Sequence, residues 1–348
     1  MDKLTQFKKI SSQAFWDNND FAPHLSELLE VSAVEKLPGD ASTRAYYRIS
    51  YKDRSTRILM KTDPFDSSEF GYPFLQVQRH LKKHEIRVPV VYDVAPREGL
   101  ILLEDLGDIT LLRRLESVKN KEEEYKIYAQ IIDQLYLMHT QASAPDTTVA
   151  AFSLYFDFSK LFWEVEFTIK NLYLKYLKKE FKKTDLEIIK EGFSKICKTI
   201  ANEKVVFTHR DFHSRNVMVL KDKEYVIIDF QDARMGPPQY DLVSLLKDCY
   251  YQLSEENVQK LLDKYWLLKK ESEKLSEKDK AHFEYIFDLM TLQRSFKAIG
   301  SFAFFYVDRG DSRYLKFIGN TFETIRRVLL KYPEFNSLRE ALFHYYYF

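Results

Sequence analysis

Hydrophobic positions along this chain follow two different periods, and the switch between them divides it. In the first hundred residues apolar and polar positions alternate or run in short β-branched and aromatic stretches. Ala45 to Tyr51 and Thr56 to Lys61 flank the polar turn Lys52-Asp53-Arg54-Ser55 and read as a hairpin. One helical stretch follows, with Phe74, Val77, Gln78, Leu81 and His84 at i, i+3, i+4 spacing. Val88 to Tyr92 and Leu100 to Leu103, around the turn Pro96-Arg97-Glu98-Gly99, read as two further strands.

After Glu104-Asp105-Leu106-Gly107 the period becomes helical. Tyr125, Tyr128, Ala129, Ile132, Leu135, Tyr136 and His139 share one face, and similar periodicity covers 159–182, 185–201, 240–252, 255–270 and 277–306. One island interrupts the helices. Val205 to Thr208 leads into a polar loop, and Val217 to Leu220 and Tyr225 to Ile228 then flank the charged turn Lys221 to Glu224. The expected architecture is α+β: a small antiparallel sheet with one helix over 1–103, a connection at 104–107 and a mainly helical region over 108–348.

Composition removes several functions. None of the nine glycines precedes a lysine and no two stand two apart, which excludes a P-loop and a Rossmann fingerprint. A net charge of +1 argues against a nucleic-acid binder. No segment approaches the roughly 20 apolar residues of a membrane helix, and the N-terminus has no signal-peptide character, so a cytoplasmic protein is expected. Cys197 and Cys249 read as buried free thiols, and the 15 % of aromatic residues mostly as core.

The island carries the chemistry. Its loop, His209-Arg210-Asp211-Phe212-His213-Ser214-Arg215-Asn216, followed after the hairpin by Asp229-Phe230-Gln231, has the spacing of a kinase catalytic loop and metal loop. Phosphoryl transfer needs groups that position the reactants and neutralise charge. Asp211 would accept the proton of the acceptor hydroxyl, and Asn216 and Asp229 would offer the oxygens that Mg²⁺ prefers. His209 reads as a structural hydrogen-bonder; His213 either touches the phosphoryl group or acceptor, or stabilises the loop. Lys61 ends a strand with the character of a phosphate-pairing lysine, or is an exposed strand-end lysine. The usual glutamate partner is replaced by Gln76, and a phosphate-covering loop at 38–44 would rely on backbone amides and the Ser42 and Thr43 hydroxyls.

These motifs resemble the aminoglycoside phosphotransferase and choline kinase-like superfamily. GDASTRAYYRI, LLEDLG, HRDFHSRNVM, IIDFQDARMGPPQYDLVSLLKDCY and LQRSFKAIGSFAFFYVDRGDSRYL are further similar to its branch of bacterial anomeric kinases acting on N-acetylated amino sugars in cell-wall recycling. The resemblance implies a bilobal protein-kinase-like fold with a small antiparallel-sheet N-lobe and a helical C-lobe. It implies ATP as co-substrate, Mg²⁺ as cofactor, a small sugar as acceptor, a monomer, and no nucleic-acid or membrane partner. The 104–107 backbone, with Glu104 and Leu106, would meet adenine. A muramyl carboxylate would favour Arg294 and Lys297, one helical turn apart, or Arg210 and Arg215; a solvated helix face is the other reading of Arg294 and Lys297. Glu164 and Glu166 would hydrogen-bond sugar hydroxyls, and Asp241 would cap a helix and brace the catalytic loop. The departures are Gln76 for glutamate, D-F-Q in the metal loop and the absence of a long activation segment. A kinase for another small hydroxyl compound, and a nucleotide-binding pseudokinase, are the competing readings.

Overall fold

The computed structural model describes residues 31–38, 44–66 and 71–347. Its backbone divides into two units, the described residues up to Ile109 with Met218–Gln231, and Thr110–Val217 with Asp232–Phe348.

In the first unit β1 (Val31–Lys36), β2 (Ala45–Tyr51), β3 (Thr56–Lys61), β4 (Val91–Ala95) and β5 (Leu100–Glu104) form one antiparallel sheet in the order β1-β2-β3-β5-β4. The β2–β3 register pairs Ala45 with Lys61 and Ser50 with Thr56. Asp53 Oδ1 closes the turn by accepting from the Ser55 amide at 2.8 Å. Alternation sends Tyr47, Ile49 and Tyr51 to one face, where they pack with Val34, Leu59, Ala95, Leu100 and Leu102. In the central strand Ile58, Leu59 and Met60 are all buried, so β3 is covered on both faces. Helix α1 (Pro73–Lys83) starts on a proline and buries Phe74, Leu75, Val77 and Leu81.

The island supplies four short strands: β6 (Val206–Thr208), β7 (Val217–Val219), β8 (Tyr225–Ile227) and β9 (Arg234–Gly236). The β7–β8 pair groups with the sheet unit although it lies within the helical part of the sequence. Met218 and Val226 bury themselves on Leu106, Ile227 N donates to Arg87 O at 3.0 Å, and Val219 N to Ile109 O at 2.8 Å.

The second unit is helical: α2 (Leu111–Leu115), α3 (Lys121–Gln141), α4 (Phe158–Thr168), α5 (Lys183–Ala201), α6 (Gln239–Leu246), α7 (Glu255–Glu273), α8 (Glu277–Arg309), α9 (Ile318–Leu329) and α10 (Asn336–Tyr347). Helix α8 is its axis and packs against α4, α5, α6 and α9. A Ser276–Asp279 capping box opens α8, and Gly310 at φ 68° closes it. Two helices depart from the periodicity reading. After Thr168 the winding widens into a π segment over Ile169–Tyr176 that stops short of 182. The Thr168 hydroxyl there donates to both Glu164 O and Phe296 O at 3.0 Å, the sort of insertion that loosens a helix. Helix α6 ends at Leu246, and beyond it Asp248 turns inward to accept from Ser214 in the loop 209–216.

Gly300 fixes the α4–α8 approach. A Cβ there would stand 2.2 Å from Thr168 Oγ1 and 2.7 Å from its Cα. Alanine is favoured over glycine in a helix interior by about 1 kcal/mol, but overpacking costs about 1–3 kcal/mol. Gly300→Ala is therefore expected to lower the midpoint of thermal unfolding, and a raised midpoint would contradict this packing.

Candidate active site

The loop 209–216 is held from below by buried carboxylates. Asp241, fully buried at the start of α6, accepts from the amides of His209 at 2.7 Å and Arg210 at 2.9 Å. Behind it His139 places Nε2 3.2 Å from the same carboxylate and Nδ1 2.8 Å from the Tyr265 hydroxyl. Asp248 accepts from the Ser214 amide at 2.9 Å and its hydroxyl at 2.5 Å. Between these anchors Arg210 is left-handed at φ 82°, a strained backbone for a non-glycine residue that turns the next side chain out of the loop. The Asn216 amide nitrogen donates to Asp211 O at 2.9 Å, which directs its Oδ1 the other way.

Asp211 faces three cations. Lys297 Nζ lies 3.7 Å and Arg294 Nη2 3.9 Å from Oδ1, and Arg210 Nε lies 3.8 Å from Oδ2. Burial by itself would raise the Asp211 carboxyl, but Lys297, Arg210 and Arg294 together outweigh it and hold it well below the usual carboxylate range. Burial pushes His213 the other way, down to about 3, against the pull of Asp211, so its imidazole is neutral. Its ring stands edge-on to Tyr250 at 5.1 Å.

A cavity of about 410 Å³ opens over Asp211. Lys160, Glu164, Arg210, Arg294 and Lys297 line one part, and Trp163, Phe167, Phe302, Phe304 and Phe305 another. Glu164 is buried, accepts from Gln293 Nε2 on Oε2 at 3.0 Å, and has Lys160 Nζ 3.5 Å from Oε1. Arg294 is only 6 % exposed, which rules out the solvated-face reading for it.

Two expected acceptor residues lie elsewhere. Glu166 is exposed and paired with Lys190 at 3.0 Å. Two residues along a helix are separated by about 200°, so Glu164 and Glu166 could not both face the cavity. Arg215 packs over the rings of Tyr250 and Tyr314, 4.9 and 5.7 Å from their centroids, and is not among the cavity-lining residues.

In the sheet unit, Lys61 ends β3 opposite Ala45 and Leu100. Gln76 is buried on α1. Glu104 is bound through its side chain to Arg87 at 2.6 and 2.8 Å, and its amide donates to Val90 O at 2.9 Å. Burial opposes ionisation of Glu104, but Arg87 and the Val90 amide hold it below the usual glutamate range. Leu106 forms a small apolar cluster with Met218 and Val226. Asp229 is exposed and left-handed at φ 64°, its Oδ1 accepting from Gln231 Nε2 at 2.8 Å, while the next residue, Phe230, is fully buried and stacks on Phe74 at 5.1 Å. Ser42 and Thr43 lie outside the described residues.

Lys160, Tyr250 and Asp248 were not singled out from sequence. Lys160 pairs with Glu164 at 3.5 Å one turn on, a spacing that could have marked it, and Asp248 is a lone acid after the apolar run Leu245-Leu246.

Such a loop in a mainly helical unit, in a chain that also carries a five-stranded antiparallel sheet unit, defines a phosphotransferase of the kinase-like fold class. Similarity to solved structures gives the same fold. A spectinomycin phosphotransferase bound to AMP matches at a TM-score of 0.63 and 14 % identity, over 89 % of this chain and 98 % of that one. A choline kinase of Streptococcus pneumoniae matches at 0.57 and 16 %, over 90 % and 99 %. The chain belongs to the phosphotransferase enzyme family, whose model matches residues 33–274. Among curated proteins it is similar to the N-acetylmuramate/N-acetylglucosamine kinases of Neisseria meningitidis, 27 % identical over 87 % of each chain, and of Pseudomonas aeruginosa, 28 % identical over 90 % of this chain and 89 % of that one. No helix among the described residues is long and apolar enough to cross a membrane.

Proposed function

We propose that this protein is an ATP- and Mg²⁺-dependent kinase that phosphorylates the anomeric hydroxyl of N-acetylmuramate or N-acetylglucosamine, serving cell-wall recycling. The observation that carries the reading is the charge of the cavity over Asp211: five basic side chains line it against three acidic ones, counting Asp211 itself. Aminoglycosides and choline are cations and would be repelled; a neutral or anionic sugar would not. The likeness of the chain to the amino-sugar kinases over most of its length supports the same acceptor.

Asp211 takes the acceptor proton and holds its oxygen toward the phosphoryl donor. Its three cations make it a weak base, which suits a hemiacetal hydroxyl, more acidic than an ordinary alcohol. The same cations stabilise the oxyanion that forms as the proton leaves. Neutral His213 and Glu164, which line this cavity, would hydrogen-bond the sugar. Lys61 would pair with the donor phosphates, and the Leu106 cluster would lie under adenine; Ser42 and Thr43 are proposed for the phosphates from sequence. Mg²⁺ prefers oxygen ligands, and the Asn216 amide oxygen and the Asp229 carboxylate are the ones proposed to hold it, where it would neutralise phosphate charge. The short link from Asp229 to Gly236 leaves no activation segment to phosphorylate.

Incubation with Mg·ATP and a panel of N-acetylmuramate, N-acetylglucosamine, glucosamine, choline and kanamycin, with NMR of the products, tests this. Phosphate on C1 of an N-acetylated sugar is expected. Phosphate on C6, or transfer confined to choline or kanamycin, would refute it.

A further inference from the structure

Arg294 is a buried cation with an incomplete set of partners. Its Nε has no hydrogen-bond partner among the described residues, and Asp211 Oδ1 stands 3.9 Å from Nη2, beyond hydrogen-bonding distance. On another side the guanidinium lies 5.7 Å from the centroid of the Tyr240 ring, and the buried Asp248, which lines the same cavity, adds a weaker attraction. Lys297, one turn along α8, approaches the same Oδ1 at 3.7 Å, and Arg210 takes the opposite oxygen at 3.8 Å. Arg210 has a second carboxylate partner in Asp232 at 3.1 Å, so at the floor of the cavity Arg294 and Lys297 share Asp211 Oδ1 between them. Holding a guanidinium out of water without matched hydrogen bonds is costly, and a planar fork of donors is suited to carboxylate and phosphate oxygens.

We propose that Arg294, assisted by Lys297, is an anion-binding specificity determinant of the acceptor site. It engages an anionic group carried by the sugar, either the phosphoryl group once transferred or a carboxylate substituent of the acceptor. Resting on the reading of this cavity as a sugar site, the assignment adds the class of sugar that is held best. If Arg294 served only to hold Asp211 or the helix packing, its replacement would affect neutral and anionic sugars alike.

Calorimetric titration without nucleotide separates the two roles, using wild type, Arg294→Gln, Arg294→Lys and Lys297→Met. The probes are inorganic phosphate, N-acetylglucosamine 1-phosphate, N-acetylmuramate and N-acetylglucosamine. Arg294→Gln is expected to weaken inorganic phosphate and at least one anionic sugar by about tenfold or more. Neutral N-acetylglucosamine should change by less than about threefold, and Arg294→Lys should recover part of the loss. A loss on the 1-phosphate identifies the transferred group, and a loss on N-acetylmuramate identifies the carboxylate. Equal weakening of every probe, or no change in any, overturns the proposal, as does a wild type that binds none of the anions. Inorganic phosphate keeps the two readings apart: binding that depends on Arg294 in a protein that takes no amino sugar would uphold the anion site and remove the sugar reading. Should Arg294→Gln fail to give a cooperative melt, Lys297→Met, more exposed at 18 %, carries the same comparison.

Discussion

Asp211→Asn should remove phosphoryl transfer almost completely, lowering the rate by about 10²–10⁴, while the protein remains folded and binds nucleotide. The substitution keeps shape and volume and removes the base together with the negative charge that faces Lys297, Arg294 and Arg210. The loop does not depend on this side chain: Asp211 O, a backbone atom, accepts from His213 N at 3.0 Å and from Asn216 Nδ2 at 2.9 Å. The side chain's charged neighbours stand at 3.7–3.9 Å, where attraction is largely Coulombic. Loss of activity by unfolding is thus separable from loss of chemistry, and a thermal melt beside a single-turnover assay separates them. Turnover within about tenfold of wild type would show that another group takes the proton.

The pieces of this site were unequally legible. The spacing of Asp211, Asn216 and Asp229 was legible because a polar loop and a hairpin between apolar strands impose it, and the β2–β3 hairpin because alternation and turn chemistry agree. Features that depend on which side chain meets which partner were not. Helix α4 passes into a π segment because Thr168 finds Phe296 O on another helix, and beyond the end of α6 at Leu246 Asp248 finds Ser214. Neither partner is near in sequence. Glu166 was misplaced for a simpler reason, since helical geometry allows only one of Glu164 and Glu166 to face the cavity. Strand β1 (Val31–Lys36) has one buried apolar side chain, Val34, too little for periodicity to register, whereas Ile318, Phe322, Ile325 and Leu329 carry helical spacing that would have marked α9.

The even balance of charge along the chain hides the most informative feature of the site. A net charge of +1 predicts nothing about a cavity, yet Arg294 and Lys297 converge there from one turn of α8, and Arg210 arrives by a left-handed backbone. The arrangement depends on the loop being held, which places the largest structural demand on a residue that never faces the cavity.

Asp241→Ala is accordingly expected to damage both fold and activity. Its carboxylate is fully buried, with His209 N at 2.7 Å, Arg210 N at 2.9 Å and His139 Nε2 at 3.2 Å. Removing it strands two backbone donors and a histidine in the interior, at about 1–3 kcal/mol for each unsatisfied group, and releases Arg210 from a conformation that costs about 1–3 kcal/mol to hold. The unfolding midpoint should fall by roughly 5 °C or more. Asp241→Asn preserves volume but turns a donor toward one of the two amides, so it should recover only part of the loss. In the folded fraction of either variant kcat should fall more than nucleotide affinity, because the loop that aims Asp211 is what relaxes. A midpoint and kcat both close to wild type in Asp241→Ala would mean that the loop holds its shape without this carboxylate.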